Sequence, residues 1–394
     1  MIKMMGIDIS RCRASVCLIN ELPDEPLDWF RQNRDKIIDI YPNREGIEQL
    51  LNLGPTHVAL EPTGIHYSKI WVNYLSQMGA EILWVGHSQL CSTRKSFRLS
   101  GKNDHADALA LACYGLQKLD KPKWFLNFDL YSEAYKLRQV CLEINHLERR
   151  SVPIMNRIRQ QLSHEWPEMA QSRSRGPLWF WIAGEPAKSK RTETIYTRDL
   201  AHSIGMGLSD FTRFQAMQWV EIEKRLNRLD AELVELLKNP DYILYRQAMG
   251  PFNFSLRIES ILLAHIYPFE NFLNADGSEI IEWVKGSKGQ RSKRNRSQKA
   301  FKLFIGIGKV EKSSGESTEW VKGGSKLCRS ALWQYIHTMI EIRSHRPKNA
   351  IGEELGALCD ELKSYRLHGR EIQARLYCRT ANLLYKAVLS TLRK

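Results

Sequence analysis

The sequence lacks the features that mark a zinc-binding, secreted or membrane-spanning protein. Its eight cysteines are scattered, without a C-x-x-C pair or a clustered Cys/His spacing, so we expect reduced thiols within the cores. The first residues, MIKMMGIDIS, do not have the charged-then-apolar layout of a signal peptide. The longest hydrophobic stretches, such as residues 178–183, are far too short to cross a bilayer. Together these absences predict a cytoplasmic protein.

The chain is long, rich in apolar residues and positively charged. Its 394 residues, 43% of them hydrophobic, are enough for two or three buried cores and predict a soluble multidomain protein. Lysine and arginine number 58 against 44 acidic residues, which gives a formal net charge of +14. This excess favours a polyanionic partner such as nucleic acid.

Residues 1–125 alternate strand-like and helix-like patterns, which is typical of an α/β domain. The polar turn from Ser10 to Arg13 joins two apolar runs that we expect to pair as strands. Another apolar run ends in Glu61-Pro62-Thr63-Gly64, a turn signal directly after a strand. Asn103 can cap a later helix. The predicted elements are strands over residues 4–9, 14–19, 57–60 and 81–85, and helices over residues 66–78 and 104–116.

Residues 126–240 predict a helical coiled-coil region. Apolar residues recur at three- and four-residue steps over about 130–165, where Pro153 is expected to kink or split the helix. A second helix is indicated by five apolar residues at steps of four and three: Ile222, Leu226, Leu229, Leu233 and Leu236. The two helices can pair as an antiparallel coiled coil, either within one subunit or as an oligomerisation seam.

Between these helices, residues from about 168 to 212 show no clear period and are interpreted as a connecting segment. An aromatic cluster lies within it. Such a cluster can stack on bases, but buried packing is the more common role, and we predict packing for Trp179, Phe180 and Trp181.

Residues 241–394 predict a mainly helical C-terminal domain that is interrupted by a basic run over residues 285–302. Because the run holds many like charges among Gly, Ser, Asn and Gln, we predict a loop without a core. Two interpretations stay open, a contact with nucleic-acid phosphates and a merely solvated loop. The side chains proposed for a phosphate contact are Lys285, Lys288, Arg291, Lys293, Arg294 and Arg296.

Four acidic residues carry the chemistry that the sequence suggests. Asp8 follows one predicted strand and Glu61 another, so both side chains can project from strand ends at one edge of a sheet. Asp104 and Asp107 lie three residues apart on a predicted helix and therefore share a face. Four converging carboxylates repel one another unless a cation joins them, and hard oxygen ligands select Mg²⁺ or Mn²⁺. Any one of these acids alone is more often a helix cap or a surface charge.

Two histidines lie close in sequence to these acids. His66 and His105 invite a role as metal ligands or general bases. We predict instead that each supports the acids from a second layer or faces solvent.

The local contexts of the four acids are Gly6-Ile7-Asp8-Ile9-Ser10, Glu61-Pro62-Thr63-Gly64 and Lys102-Asn103-Asp104-His105-Ala106-Asp107-Ala108. In these contexts, their order and their spacing, the chain resembles the DEDD transposases of the insertion-sequence-110 family, whose relatives include the Piv-type DNA invertases. The resemblance implies an α/β RuvC-like N-terminal domain of the ribonuclease H fold, a helical coiled-coil middle and a mainly α C-terminal transposase domain. It also implies that the four acids are catalytic and bind Mg²⁺ or Mn²⁺.

The resemblance continues in the C-terminal domain, over Gly306 to Gly315 and again over Lys322 to Leu332. In that register Ser314 matches the family's nucleophile, which attacks a DNA phosphate and forms a phosphoserine intermediate. A serine hydroxyl needs a metal ion or a base to activate it, and the acids can provide both. Without the resemblance, Ser313-Ser314-Gly315 reads as a flexible turn. Arg329 matches a family arginine and can pair with a phosphate.

The resemblance therefore predicts a transposase or site-specific DNA recombinase of a mobile element. It further implies that a structured RNA selects the DNA, that the active form is a tetramer, and that the protein works in a prokaryotic cytoplasm. Two alternatives remain. One is a RuvC-like metal-dependent nuclease in which water attacks, and the other is a non-catalytic nucleic-acid-binding descendant of a transposase.

Overall fold

The structure is a computed structural model that describes the chain in two units, Met1–Leu130 and Tyr131–Lys394. They are called the N-terminal and the C-terminal unit below. The described residues are 2–62, 65–99, 103–126, 129–170, 176–186, 189–285, 290–314, 317–365 and 367–393, without the side chains of residues 65, 312–314 and 317.

The N-terminal unit is built on a five-stranded sheet of order β3-β2-β1-β4-β5. β1 pairs antiparallel with β2, and β2 with β3, whereas β1, β4 and β5 are parallel. The strands are β1 (Met4–Ile9), β2 (Ala14–Ile19), β3 (Ile37–Ile40), β4 (His57–Leu60) and β5 (Glu81–Trp84). The helices are α1 (Pro26–Gln32), α2 (Arg44–Asn52), α3 (Ile65–Gln77), α4 (His87–Ser96) and α5 (Asp104–Lys118). The predicted α/β class of this region is confirmed.

Both faces of the sheet are covered, so every strand has a largely apolar sequence. On one face, Trp71 and Leu75 of α3 and Leu50 of α2 pack against Ile7 and Leu60. On the other face, α5 lies directly on β1, and nearly every residue of its middle turns is buried. Gly6 permits this contact, because an added Cβ would stand 2.0 Å from the Ala108 carbonyl oxygen.

Two long helices dominate the first half of the C-terminal unit. α6 (Glu133–Glu165) and α10 (Asp210–Leu236) are antiparallel, since the early part of α6 shares a core with the late part of α10. The late part of α6 in turn packs with the early part of α10. The predicted antiparallel pairing is therefore present within one subunit. Arg225 of α10 reinforces it with two hydrogen bonds to Glu143, at 2.7 and 3.1 Å.

α6 continues through Pro153 without a break, so the expected splitting of this helix is wrong. A proline removes one helical hydrogen bond. The buried residues on both sides of it, Ile144 and Ile158, nevertheless pack on neighbouring helices and hold the two halves in one helix.

The segment interpreted as a connection contains α7 (Pro167–Ala170), α8 (Gly176–Ile182) and α9 (Lys190–Ala201). A core of aromatic side chains joins them to α10. Trp179 is buried and meets Trp219 edge to face, with ring centroids 5.0 Å apart. The predicted packing role of Trp179 is confirmed. Phe180 and Trp181 are partly buried and pack against the same core. The segment does connect the two long helices, as predicted, but it does so with three helices of its own, which the sequence analysis did not predict.

The rest of the C-terminal unit is mainly helical, as predicted. Its helices are α11 (Ile243–Met249), α12 (Leu256–Ile266), α13 (Arg296–Phe304), α14 (Lys326–Tyr335), α15 (Ala350–Ser364) and α16 (Gly369–Leu392). Two antiparallel hairpins interrupt them, made by β6 (Ile281–Lys285) with β7 (Arg291–Asn295), and by β8 (Lys309–Ser314) with β9 (Ser317–Lys322). Within the described residues, no helix has the length and apolar character needed to cross a membrane.

The expected loop over residues 285–302 is wrong for its described part, which forms β7 and most of α13. Backbone pairing with β6 satisfies the polar groups of β7 while its charged side chains face solvent. Phe301 anchors α13, since it is fully buried in the core of the unit. Charge pattern alone could not reveal this, because a hairpin of charged residues has the composition of a loop.

Candidate active site

Two of the four predicted acids stand at the carboxyl ends of neighbouring parallel strands. The register of β1 and β4 ends with Ile7 opposite Leu60, so Asp8 and Glu61 follow at the same level. Side chains alternate along a strand, and Asp8 therefore lies on the same face as Gly6, the face that α5 covers. The side chain of Glu61 is only 13% exposed.

The other two acids begin the helix that crosses this strand. Asp104 and Asp107 lie in the first turn of α5, where Asn103 caps the helix by accepting a hydrogen bond from the His105 amide at 2.9 Å. Negative side chains are stabilised at this end of a helix. Because α5 packs on Gly6 through Ala108, this first turn lies toward the carboxyl end of β1.

Asp107 is the most buried of these carboxylates and is held by an arginine. Nη1 of Arg94, on α4, donates to both carboxylate oxygens at 2.7 and 2.9 Å, and the Asp107 side chain is only 9% exposed. The pKa of Asp107 is nevertheless raised, chiefly by burial, and the charges of Glu61 and Asp104 raise it further against the opposing effect of Arg94. These charges act on one another, so three of the predicted acids share one electrostatic site.

A second group of charges flanks Asp104. Arg13 bridges two carboxylates, with Nη1 2.9 Å from Asp39 Oδ2 and Nη2 3.2 Å from Asp104 Oδ2. Asp39 Oδ1 also accepts a hydrogen bond from Ser15 Oγ at 2.6 Å and lies 3.1 Å from His105 Nε2. Burial opposes ionisation of Asp39, but the hydrogen bonds and charges of these partners lower its pKa overall. His105 thus reaches the acids through Asp39, in the second layer that the sequence predicted.

Glu61 has a histidine partner that the sequence did not single out. His87, the first residue of α4, places Nδ1 2.8 Å from Glu61 Oε1. His66, by contrast, is exposed.

Carboxylates of this kind have the donor chemistry of a Mg²⁺ or Mn²⁺ site. In the described part of the chain, however, no three side chains of Asp, Glu, His or Cys are arranged to hold a metal ion. Both carboxylate oxygens of Asp107 are already bonded to Arg94. The residues fit a hard cation by type, and a cation at Asp107 would have to replace the guanidinium.

The predicted nucleophile lies in the C-terminal unit, on the β8–β9 hairpin. Ser314 is the last residue of β8 and is paired with Ser317 at the start of β9, while Ser313 is paired with Thr318. Residues 315 and 316 lie outside the described part. Ser313 and Ser314 are thus paired strand residues, whereas Gly315, the third residue of the alternative interpretation as a flexible turn, is among the residues that are not described.

The base of this hairpin is tightly joined to α14. Gly306 has φ +83, and a Cβ there would stand 2.2 Å from the Ser325 carbonyl oxygen. Arg329 donates to the carbonyl oxygens of Gly306 and Gly323 at 2.7 and 3.3 Å. Arg329 is thus bonded to backbone, and its predicted contact with a phosphate stays a prediction.

Ser325, which caps α14, is itself held by a buried histidine. Burial lowers the pKa of His265 to about 4, so the ring is neutral near pH 7. Its Nδ1 lies 2.8 Å from the Ile261 carbonyl oxygen and must donate there. Nε2 is then an acceptor, and Ser325 Oγ donates to it at 3.0 Å.

The basic residues proposed for nucleic acid lie mainly on the β6–β7 hairpin. Lys285 ends β6, and Arg291, Lys293 and Arg294 are exposed along β7. Arg296 begins α13 and pairs with Glu282 at 2.6 Å. Lys288 lies outside the described residues.

Sequence reasoning found the acids but missed their partners. Arg94 and His87 lie on α4, whose sequence has weak amphipathic character and was not predicted as a helix. Asp39 lies in β3, a four-residue strand that was also not predicted. Arg13 stands in the turn after β1, where its closeness to the acids could be inferred only once α5 is placed on that strand.

Comparison with known proteins adds no assignment to this geometry. No protein-family model matches the chain, and a search of curated proteins found no match.

Proposed function

We propose that this protein is a transposase or site-specific recombinase of a mobile insertion element, which cuts DNA and rejoins it through a covalent link to Ser314. The observation that carries the proposal is the shared electrostatic site of Glu61, Asp104 and Asp107 at the end of β1, where Asp8 lies. Burial of like charges in one place is costly, and active sites are where such an arrangement is commonly found.

The proposal includes a RuvC-like ribonuclease H fold for the N-terminal unit. Support comes from the mixed sheet and from the position of the acids. Asp8 and Glu61 lie outside the carboxyl ends of β1 and β4, where the strand order of the sheet reverses. Open α/β sheets bind their ligands at that position.

In this proposal the four acids hold Mg²⁺ or Mn²⁺ after Arg94 has released Asp107. The bound ion supplies Lewis-acid stabilisation of the phosphodiester oxygens. The Ser314 oxygen would attack the phosphorus and form the phosphoserine bond, and its proton would pass to a base. The displaced DNA oxygen would take up a proton and leave as a hydroxyl, which balances the proton lost by the serine. Since the phosphodiester is exchanged rather than hydrolysed, attack by a second DNA hydroxyl reverses the step and rejoins the strand.

The proposed partners follow from the charge and the resemblance. DNA is the substrate, a structured RNA selects it, and a tetramer in a prokaryotic cytoplasm is the working form. The net charge of +14 supports a nucleic-acid partner, and the exposed cations of β7 offer a surface for it.

The test uses a plasmid that carries this gene with its native flanking DNA, because the protein sequence does not name the target. The wild type and Ser313→Ala should produce rejoined junctions that amplification across them detects. Ser314→Ala and Asp107→Asn should produce none while the proteins remain folded. Junctions formed by Ser314→Ala would exclude the serine as nucleophile.

A water-using metal nuclease is the second candidate, and one observation favours it. The three coupled acids belong to the N-terminal unit alone, whereas Ser314 belongs to the other unit. A nuclease predicts that Ser314→Ala still cleaves DNA and leaves free 5′-phosphate or 3′-hydroxyl ends. Tight binding without any cleavage by the wild type would indicate a non-catalytic descendant.

A further inference from the structure

The β6–β7 hairpin has two faces of different chemistry. Lys285 pairs with Arg291, and Trp283 pairs with Lys293. Because side chains alternate along each strand, these four residues share one face, called the Trp283 face below. The other face carries Glu282 opposite Arg294 and Val284 opposite Ser292.

Trp283 is exposed although nothing in the fold requires a tryptophan there. Its relative exposure is 68%, among the highest of any large apolar side chain described. The hairpin is held instead at its base, where Ile280 N donates to Ser297 Oγ at 2.8 Å and Asn295 Nδ2 to Glu279 Oε1 at 2.6 Å. A single exposed aromatic side chain is ordinary on a protein surface, so it is the combination of Trp283 with the cations beside it that indicates a partner.

The two faces of the hairpin carry different charges. Glu282, the one acid in β6 and β7, lies on the opposite face and is neutralised by Arg296 at 2.6 Å. The Trp283 face therefore carries three cations and no acid within these two strands. Directly opposed side chains in such a pair have Cβ atoms about 5 Å apart and diagonal neighbours about 7–8 Å apart. Lys293 therefore lies opposite Trp283 and Arg291 diagonally from it, while Lys285 follows two residues along the same strand.

We propose that the Trp283 face binds single-stranded nucleic acid, with a base stacked on Trp283 and backbone phosphates on Lys285, Arg291 and Lys293. Aromatic platforms flanked by cations bind single strands in this way, irrespective of sequence. An unpaired base is needed because bases within a duplex already stack on each other. The inference rests on the proposed function, and it adds the strandedness of the partner and the side chain that recognises it.

The experiment measures the affinity of the full-length protein for a labelled 20-nucleotide RNA, the matching DNA strand and the duplex by fluorescence anisotropy. Trp283→Ala should weaken binding of the single strands by roughly 5- to 150-fold and leave the duplex unchanged. Trp283→Phe should recover much of the loss, because it keeps an aromatic ring. Trp124→Ala is the matched control, since Trp124 is also exposed and near a lysine, and it should have no effect.

A salt series separates the charged contacts from the stacking contact. Lys293→Ala should lower the slope of log affinity against log salt by about 0.7, the value for one phosphate on a single strand. Arg228→Ala, which removes an exposed cation from α10, should leave the slope unchanged. Trp283→Ala should weaken binding equally at every salt concentration.

Several outcomes would overturn the inference. If Trp283→Ala changed the affinity for single strands by less than twofold, a base stacked on Trp283 would be excluded. An equal loss for the duplex would indicate a β-ribbon on double-stranded DNA. If Trp283→Ala weakened binding to anionic vesicles or to poly-glutamate but not to nucleic acid, the partner would be a membrane or an acidic protein. In each case the recombination assay tests the proposed function separately. If the wild-type protein bound no nucleic acid, both the proposed function and the role of Trp283 would be excluded.

Discussion

At the scale of single residues, the acids are held by cations of the protein itself. Arg94 bonds both oxygens of Asp107, yet the pKa of Asp107 remains raised. A carboxyl whose folded-state pKa is raised favours folding only below its unfolded pKa and opposes folding once pH exceeds the folded value. Ionisation of Asp107 therefore costs stability, which a divalent cation in the site would recover.

This arrangement makes Arg94 a competitor of the metal ion. Arg94→Gln should strengthen Mn²⁺ binding by roughly 10- to 150-fold, because a charge-assisted hydrogen bond of about 1.5–3 kcal/mol no longer has to be broken. Isothermal titration calorimetry measures this directly. Lys95→Gln removes the same charge from the next, exposed position and should leave the affinity unchanged. Equal or weaker Mn²⁺ binding in Arg94→Gln would show that Arg94 does not compete.

At the scale of elements, the contact of α5 with β1 sets where the acids meet. An alanine at position 6 would bring its Cβ to 2.0 Å from the Ala108 carbonyl oxygen and 2.5 Å from the Ala112 amide nitrogen. Both atoms are backbone, so the whole helix must move.

Gly6→Ala should therefore destabilise the protein by about 3 kcal/mol or more and abolish Mn²⁺ binding by separating Asp104 and Asp107 from Asp8. Urea denaturation and calorimetry test the two effects. Gly369→Ala, in the first turn of α16 with open space around the new Cβ, is the control and should be nearly neutral. Unchanged Mn²⁺ affinity in Gly6→Ala would contradict the role given to this contact.

The elements that could be predicted from the sequence are those with strong local patterns. β1, β2 and β4 have the predicted bounds, and α5 begins at the predicted Asp104, because apolar runs next to clear turns or caps identify them. The β6–β7 hairpin was missed because its strands are mostly polar and exposed. The continuity of α6 was missed because tertiary packing outweighs the local effect of Pro153.

The same contrast applies to the candidate site. Asp8, Glu61, Asp104 and Asp107 could be found because each has a recognisable local context. Their partners Arg94 and His87 could not, since only the fold brings α4 beside them. Pairing across the fold leaves no periodic signal in the sequence.

At the scale of the whole molecule, the residues of the proposed chemistry are divided between two units. The N-terminal unit holds the coupled acids, and the C-terminal unit holds Ser314 at the end of β8. In the proposed function, the acids serve phosphodiester chemistry of either kind, whereas the serine alone distinguishes cutting and rejoining from hydrolysis. The central claim therefore depends on a bond between Ser314 and DNA.

The most direct measurement of that claim is mass spectrometry of the protein after reaction with its element's flanking DNA and Mn²⁺. We expect a nucleotide attached to the peptide that contains Ser314, absent in Ser314→Ala and in Asp107→Asn, although both variants still bind DNA. Cleaved DNA with free ends and no modified peptide, or an adduct that persists in Ser314→Ala, would contradict it.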